Sequence, residues 1–284
     1  MNVSAAIAAQ NVQEKYLALN EILREKLADG LIVAFSGGVD SSFLTWAAEQ
    51  ERKRTGGKLI ALTTSSASFS QAEKADAERF SEANGFTHLW FESNELANPE
   101  YAKNGIDRCF HCKTELFTIC RDAAAQNDIK WIAYGYNASD RGDTRPGHVA
   151  AEENNILSPL ADVGLTKDEI RQLMRDNGLE MADKPASPCL SSRLMTGVAV
   201  TAQKLSDVEE IESILRMGGL KVFRVRLHEL GDTKFLRLEV APEEMSLALE
   251  LREALVAEGK ARGYAWVTID LAGYRTGGGN TTTK

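Results

Sequence analysis

The sequence predicts an α/β protein: a parallel sheet with helices on both faces, followed by a smaller C-terminal α+β domain. Three observations carry this. Short apolar runs alternate with helical stretches up to about residue 200, which is the pattern of βαβ units. The first of these runs, LIVAF (31–35), leads directly into a turn of glycines and serines, SGGVDSS, and then into a helix. Beyond residue 200 apolar and polar residues alternate within each run, as in strands with one exposed face.

Residues 5–28 have helical apolar spacing and stop at Gly30. LIVAF is a short continuous apolar run, which marks a strand buried on both faces. A helix is expected from the serines to about Arg54, a second strand at KLIALTT (58–64), and a helix over 70–85 ending at Gly85. THLWFE (87–92) is the third strand, 109–126 a helix, KWIAYGY (130–136) the fourth strand, and NILSPLAD (155–162) the fifth. LTKDEIRQLMRDNG (165–178) carries Thr166 as N-cap, Glu169 as its capping-box partner and Gly178 as stop. The loop DKPASPCLSSRLMTG (183–197) precedes the boundary, and long loops are often functional. A helix (202–216), strands KVFRVRL (221–227) and KFLRLEV (234–240), a helix (242–258) and a last strand YAWVTID (264–270) follow. The expected domains are therefore 1–200 and 201–275, with 276–284 a flexible tail.

At 284 residues and 43% hydrophobic content the chain can bury a substantial core. No apolar run reaches the ~18 residues of a membrane span, and the N-terminus lacks the pattern of a signal peptide. A cytoplasmic protein without membrane attachment is expected. The net charge of -8 weighs against a nucleic-acid partner, which calls for a basic stripe. It is compatible with a small anionic substrate held by a few arginines.

In LIVAFSGGVDSS, Gly37 and Gly38 let the backbone turn tightly and approach a ligand. Ser36, Asp40, Ser41 and Ser42 surround a helix N-terminus, where unpaired N–H groups and the helix dipole favour phosphate. No GK[ST] follows, so this is not a Walker A loop, and G-x-G-x-x-G is absent. Thr63 and Gly135 end the second and fourth strands, at the carboxyl edge where open α/β sheets bind ligands.

The four cysteines are too few for a disulfide scaffold and favour metal or catalytic use. Cys109 and Cys112, in DRCFHCK, share a helix face. Cys120 lies ~16 Å further along that helix at ~1.5 Å per residue, so it reads as a packed apolar cysteine. Cys189 sits in ASPCLSSR. A redox pair, half of a zinc site, an iron–sulfur site and simple packing all remain open for the CxxC. Three thiolates on a [4Fe–4S] cluster leave one iron open, which suits sulfur delivery, whereas structural zinc prefers four ligands. In KVFRVRL, alternation puts Phe223, Val225 and Leu227 on the core face and Arg224 and Arg226 on the open one. The two guanidiniums suit a phosphate or carboxylates. Arg193, Asn137 and Asp140 are further candidates. Glu212 and Glu239 are weaker ones that read as surface charge, and His111 reads as an exposed spacer.

SGGVDSS resembles the PP-loop of the ATP pyrophosphatases, an adenine-nucleotide alpha-hydrolase-like, Rossmann-like fold. Taken in order, SGGVDSS, DRCFHCK, GYNASD, PASPCLSSR and FRVR resemble the LarE family of pyridinium-3,5-biscarboxylic acid mononucleotide sulfurtransferases along nearly the whole chain. The resemblance implies cleavage of ATP to AMP and pyrophosphate with Mg²⁺, and conversion of two pyridinium carboxylates to thiocarboxylates in nickel-pincer nucleotide cofactor biosynthesis. It implies ATP contacts at Ala34, Ser36, Gly37, Gly38, Asp40, Ser41, Ser42, Thr63 and Gly135. Substrate contacts are implied at Arg193, Arg224, Arg226 and Asp140, and catalytic roles for Asp40 and Cys189. Some family members sacrifice the sulfur of the cysteine equivalent to Cys189. With Cys109 and Cys112 present, this chain is similar to the three-cysteine group, which implies a [4Fe–4S] cluster on Cys109, Cys112 and Cys189. A sulfide donor, a nickel-insertion protein of the same pathway and a homo-hexamer are also implied. The rival expectations are a tRNA thiolase, an ammonia-using amide synthase with zinc on the cysteines, and a non-catalytic nucleotide sensor.

Overall fold

The computed structural model describes residues 3–141 and 146–275, with side chains from residue 12. In chain order the elements are α1 (Val3–Ala28), β1 (Leu31–Ala34), α2 (Val39–Thr55), β2 (Leu59–Ser65), α3 (Gln71–Asn84), β3 (His88–Glu92), α4 (Pro99–Ala102), α5 (Arg108–Gln126) and β4 (Trp131–Tyr134). Then come α6 (Pro146–Glu153), α7 (Pro159–Asp162), α8 (Lys167–Asp176), α9 (Ala202–Met217), β5 (Phe223–Leu230), β6 (Thr233–Val240), α10 (Met245–Glu250), α11 (Arg252–Ala261) and β7 (Trp266–Ile269).

The chain forms two compact units. The first comprises the chain up to Ser65, Gln71–Ser93 and Cys109–Ser187. Its sheet has four parallel strands in the order β3-β2-β1-β4. The period of two along a strand sends neighbouring side chains to opposite faces, and both faces are buried. Leu31 and Val33 join one apolar cluster with Leu19, Leu23 and Leu27 of α1, Phe43 and Ala47 of α2, and Ile170 and Leu173 of α8. Ile32 and Ala34 join the other, with Phe117, Cys120 and Ala123 of α5 and Ala150 of α6. This two-sided burial explains why LIVA contains no polar residue.

The second unit comprises Ser66–Ser70, Asn94–Arg108 and the chain from Pro188 onward. Its sheet runs β5-β6-β7, antiparallel between the first pair and parallel between the second. Leu205, Val208, Ile211 and Leu215 of α9 are fully buried at helical spacing, and α9 packs on β5.

The structure revises several sequence expectations. The division is not a single cut near residue 200: the second unit takes in two earlier segments and begins again at Pro188. A reading of linear texture assigns whole stretches to one body and misses inserted loops. The fifth parallel strand at 155–162 does not form. Leu157 makes one isolated bridge to Ala133, and Pro159 then starts α7, a use proline's fixed φ favours. The helix expected over 242–258 is two helices that meet at Leu251. The tail at 276–284 lies outside the described residues.

Candidate functional site

In the first unit the strand order reverses beside β1, with β2 on one side and β4 on the other. Crevices at such a switch point are where open α/β sheets bind ligands, and the turn Phe35–Gly38 leaves β1 there. Gly37 has φ +67°, a conformation that favours glycine, and a Cβ on it would meet Ala77 Cβ at 3.0 Å. Gly38 caps α2 without a side-chain bond, so the first amides of that helix lack intrahelical partners. The loop braces itself: Ser41 Oγ accepts from Ser36 N (3.2 Å) and donates to the Gly38 carbonyl (3.1 Å). Gly135, just past β4, abuts the same helix start. A Cβ there would lie 2.6 Å from Ser41 N and 3.0 Å from the Asp40 carbonyl carbon. Its residue type is set by that approach.

Asp40 is largely buried, with its Oδ2 held by Lys167. Burial pushes its carboxyl above the ordinary range against the pull of Lys167, and the charge of Asp140 pushes the same way. Asp40 Oδ1 and Ser42 Oγ are both buried without a hydrogen-bond partner among the described residues. Orphaned polar atoms cost free energy unless something fills the gap, so the atoms present fit a metal–phosphate group. Asn137 is buried and its side chain accepts from Ser139 N at 2.8 Å, which shapes the short turn that ends in Asp140. Lys184 donates to the Gly37 carbonyl at 3.1 Å and pairs with Glu73 and Asp76 at 2.7 and 2.9 Å. Neither Lys167 nor Lys184 was singled out in the sequence; the capping box around Thr166 was the available signal for the first.

Thr63 is placed at the end of β2 as expected, but its hydroxyl is engaged. It donates to the Phe35 carbonyl and meets His88 Nε2 at 2.8 Å. Burial lowers the His88 pKa to about 4, so the ring is neutral at pH 7. The Thr63 hydroxyl is thus committed to Phe35 and His88. Ala34, 6% exposed, packs its methyl into the core.

Cys109 is exposed and Cys112 half-buried, at i and i+3 on α5. Cys120 is buried, and burial pushes its thiol up to about 12, in keeping with a packing role. Cys189, in the second unit, is half-buried and opens the 3₁₀ turn Leu190–Arg193. Its carbonyl accepts from Ser192 N (2.9 Å), Ser192 Oγ (2.7 Å) and Arg193 Nη1 (3.2 Å).

The second unit also holds the arginines, and here the sequence reading is corrected. Arg224 and Arg226 are 8% and 6% exposed, not on an open face; β5 is buried on both sides along Phe223–Leu227. Arg226 pairs with Glu239 at 2.9 Å and donates to the Ser192 carbonyl at 2.9 Å. Arg193 forms a two-pronged pair with Glu212, at 2.9 and 3.1 Å, and also donates to the Pro188 carbonyl. Glu212 and Glu239, read as surface charge, are each 2% exposed. Arg224 lies over the Tyr274 ring at 5.2 Å, and burial followed by the Arg193 charge lowers its pKa. Glu239 is shared with Arg237 at 2.9 Å, which also pairs with Asp270, so the guanidiniums of this cluster are held by a network of buried carboxylates.

The parallel sheet, its switch point and the glycine–serine turn define a Rossmann-like α/β protein of the PP-loop class. No family model matches the chain. It is 36% identical over 252 residues to slr1717 of Synechocystis sp., covering 88% of this chain and 91% of that protein. It is 28% identical over 250 residues to pyridinium-3,5-bisthiocarboxylic acid mononucleotide synthase of Lactiplantibacillus plantarum, covering 88% of each. MJ0830 of Methanocaldococcus jannaschii is 26% identical over 277 residues, or 93% of this chain and 98% of that one. The chain belongs with slr1717 to one family, and its similarity to the Lactiplantibacillus synthase supports the LarE resemblance.

Proposed function

We propose that the protein is an ATP-dependent sulfurtransferase that makes thiocarboxylates from pyridinium-3,5-biscarboxylic acid mononucleotide. The observation that carries the reading is the pair of buried, unpartnered oxygens, Asp40 Oδ1 and Ser42 Oγ, at the start of α2. Similarity to the Lactiplantibacillus synthase supplies the substrate class. In this reading the α2 amides, Ser36, Ser41 and Ser42 would hold the ATP phosphates, and Asp40, with Asp140 nearby, would hold Mg²⁺. Bound Mg²⁺ neutralises the charge that builds on the phosphates. Lys167, the counterion of Asp40, moves to the leaving pyrophosphate.

A substrate carboxylate oxygen attacks the α-phosphorus, pyrophosphate leaves, and an acyl adenylate forms. Sulfide then adds at the carboxyl carbon, the C–O bond to AMP breaks, and a thiocarboxylate remains. Arg193, Arg224 and Arg226 hold the substrate's phosphate or its second carboxylate, with Glu212 and Glu239 fixing their geometry. Cys109, Cys112 and Cys189, the three cysteines with exposed surface, would hold a [4Fe–4S] cluster; when bound it supplies sulfur at an iron left without a protein ligand. The product would pass to nickel insertion, with a homo-hexameric cytoplasmic enzyme as the working form.

The test is anaerobic purification followed by iron and sulfide analysis and by turnover with ATP, Mg²⁺, sulfide and the mononucleotide. About four irons per chain, substrate-dependent pyrophosphate release and thiocarboxylate product are expected. Pyrophosphate release without a dependence on the mononucleotide would overturn the substrate assignment. Iron-free protein that leaves dehydroalanine at position 189 would replace the cluster with sacrifice of the Cys189 sulfur.

A further inference from the structure

Glu95 is a buried carboxylate that the reaction above does not use. It lies in the second unit at 4% exposure. Its side-chain partners among the described residues are hydroxyls: Ser66 Oγ donates to Oε1 at 2.6 Å, and Ser68 Oγ donates to the same oxygen. Ser66 and Ser68 also meet each other at 2.9 Å. A carboxylate is costly to bury unless it is hydrogen-bonded, and among the described residues it is hydroxyls, not cations, that supply the bonds.

The cage leads to one place. The main-chain carbonyl of Ser68 accepts from Leu190 N at 2.8 Å, directly beside Cys189. Tyr101 is 1% exposed, and its hydroxyl meets Ser191 Oγ at 2.6 Å. Arg108 Nη1 donates to the Ser191 carbonyl at 2.7 Å and to Asn104 Oδ1 at 2.6 Å. Asn104 Nδ2 in turn donates to the carbonyls of Met195 and Val198, each at 2.9 Å. The turn Leu190–Arg193 is thus gripped through Ser66–Ser70 and Asn94–Arg108, and Glu95 anchors the grip.

We propose that Glu95 is a positioning residue that fixes the turn carrying Cys189, acting through Ser68, whose carbonyl holds Leu190 N. The inference rests on the reading that Cys189 takes part in sulfur delivery. Transfer needs the sulfur placed accurately, and a misplacement of ~1 Å can cost about 100-fold. A short turn cannot hold that position with its own few bonds, so it is held from outside.

The experiment compares Glu95→Ala, Glu95→Gln, Tyr101→Phe and Ser68→Ala with the native chain. The first readout is the iodoacetamide alkylation rate of Cys189 in cluster-free protein, by peptide mass spectrometry with Cys109 as internal reference. The second separates mononucleotide-dependent pyrophosphate release from thiocarboxylate formation. Glu95→Ala should shift the Cys189 rate relative to Cys109 by about tenfold and lower thiocarboxylate formation by a similar factor, as expected for losing a hydrogen bond to a charged group. Pyrophosphate release should fall less than thiocarboxylate formation, because Arg193 on the same turn keeps its pair with Glu212. Glu95→Gln keeps a carbonyl acceptor for both serines and should behave close to native; Tyr101→Phe should show a smaller version of the alanine effect. If Glu95→Ala does not fold, Ser68→Ala carries the same expectation. Unchanged alkylation and product in these variants would overturn the proposal, as would a glutamine variant as defective as alanine. A native enzyme that releases no pyrophosphate would overturn the proposed function, while the alkylation rates would still decide the role of Glu95.

Discussion

The glycine–serine turn and the arginine cluster handle buried charge in opposite ways. In the loop, Asp40 keeps one oxygen on Lys167 and leaves the other, with Ser42 Oγ, buried and unpartnered. In the cluster, Arg193 and Arg226 are already paired with Glu212 and Glu239. The first arrangement is incomplete until a ligand fills it. The second is complete within the unit and holds its donors in place before any ligand comes. A site can therefore be prepared by leaving a gap or by building a scaffold, and the two should respond differently to the same kind of mutation.

The largest difference should come from removing one partner of a scaffold pair. Glu212→Ala strands the Arg193 guanidinium, which is 4% exposed, and should cost about 3–5 kcal/mol of stability, read from urea unfolding. A loss below about 1 kcal/mol, the value typical of an exposed pair, would break the comparison. In the loop, Asp40→Asn should act on function and not on folding. Turnover should fall by about 100-fold or more, as for lost electrostatic stabilisation of a transition state, with thermal stability equal to or above that of the native chain.

The pH dependence sharpens the same point. The Asp40 carboxyl titrates higher folded than unfolded, so between those two values the native state holds more proton than the unfolded chain. Its contribution to stability is full below the unfolded value and is lost as pH rises through the folded one. Asp40→Asn should flatten that decline, measured as unfolding midpoint against pH. A steeper decline in the variant would reverse the sign and sink the account. Gly135→Ala comes next: its Cβ meets backbone at 2.6 Å, and the forced shift should cost about 1–3 kcal/mol and weaken nucleotide binding in calorimetry. Smallest is Thr63→Val, which removes bonds to Phe35 and His88 and should cost about 1 kcal/mol with nucleotide affinity unchanged. A large affinity loss there would mean that the hydroxyl reaches the nucleotide after all.

Legibility divides along the same line. LIVAFSGGVDSS could be read because strand, turn and helix start are consecutive, and each residue type answers a local demand of backbone or phosphate. The capping box at Thr166 was readable for the same reason. The Arg193–Glu212 pair joins a turn to a helix, and Arg226–Glu239 joins two strands across a sheet. Nothing local tells a strand's polar face that a carboxylate waits opposite it, so alternation in FRVR was read as exposure. Pairing across β5 and β6 puts Arg224 opposite Glu239 and Arg226 opposite Arg237, and a hairpin register was the one signal from which it could have been seen. The lost strand at 155–162 has a simpler cause. NILSPLAD has the composition of a strand as far as Leu157, and Pro159 then lacks the N–H a ladder needs and starts a helix instead.

β1 is hydrogen-bonded on both sides and all four of its residues are buried. Its amides can exchange with solvent only when neighbours on both flanks let go together, so they should be among the slowest in the molecule. β7, by contrast, is a sheet edge with Trp266 59% exposed. On gentle heating the edge would fray long before the strand from which the glycine turn hangs. A partly melted population would keep the first sheet and its glycine turn while losing the outer rim of the second sheet, so an intact glycine turn is a poor gauge of intactness for this chain.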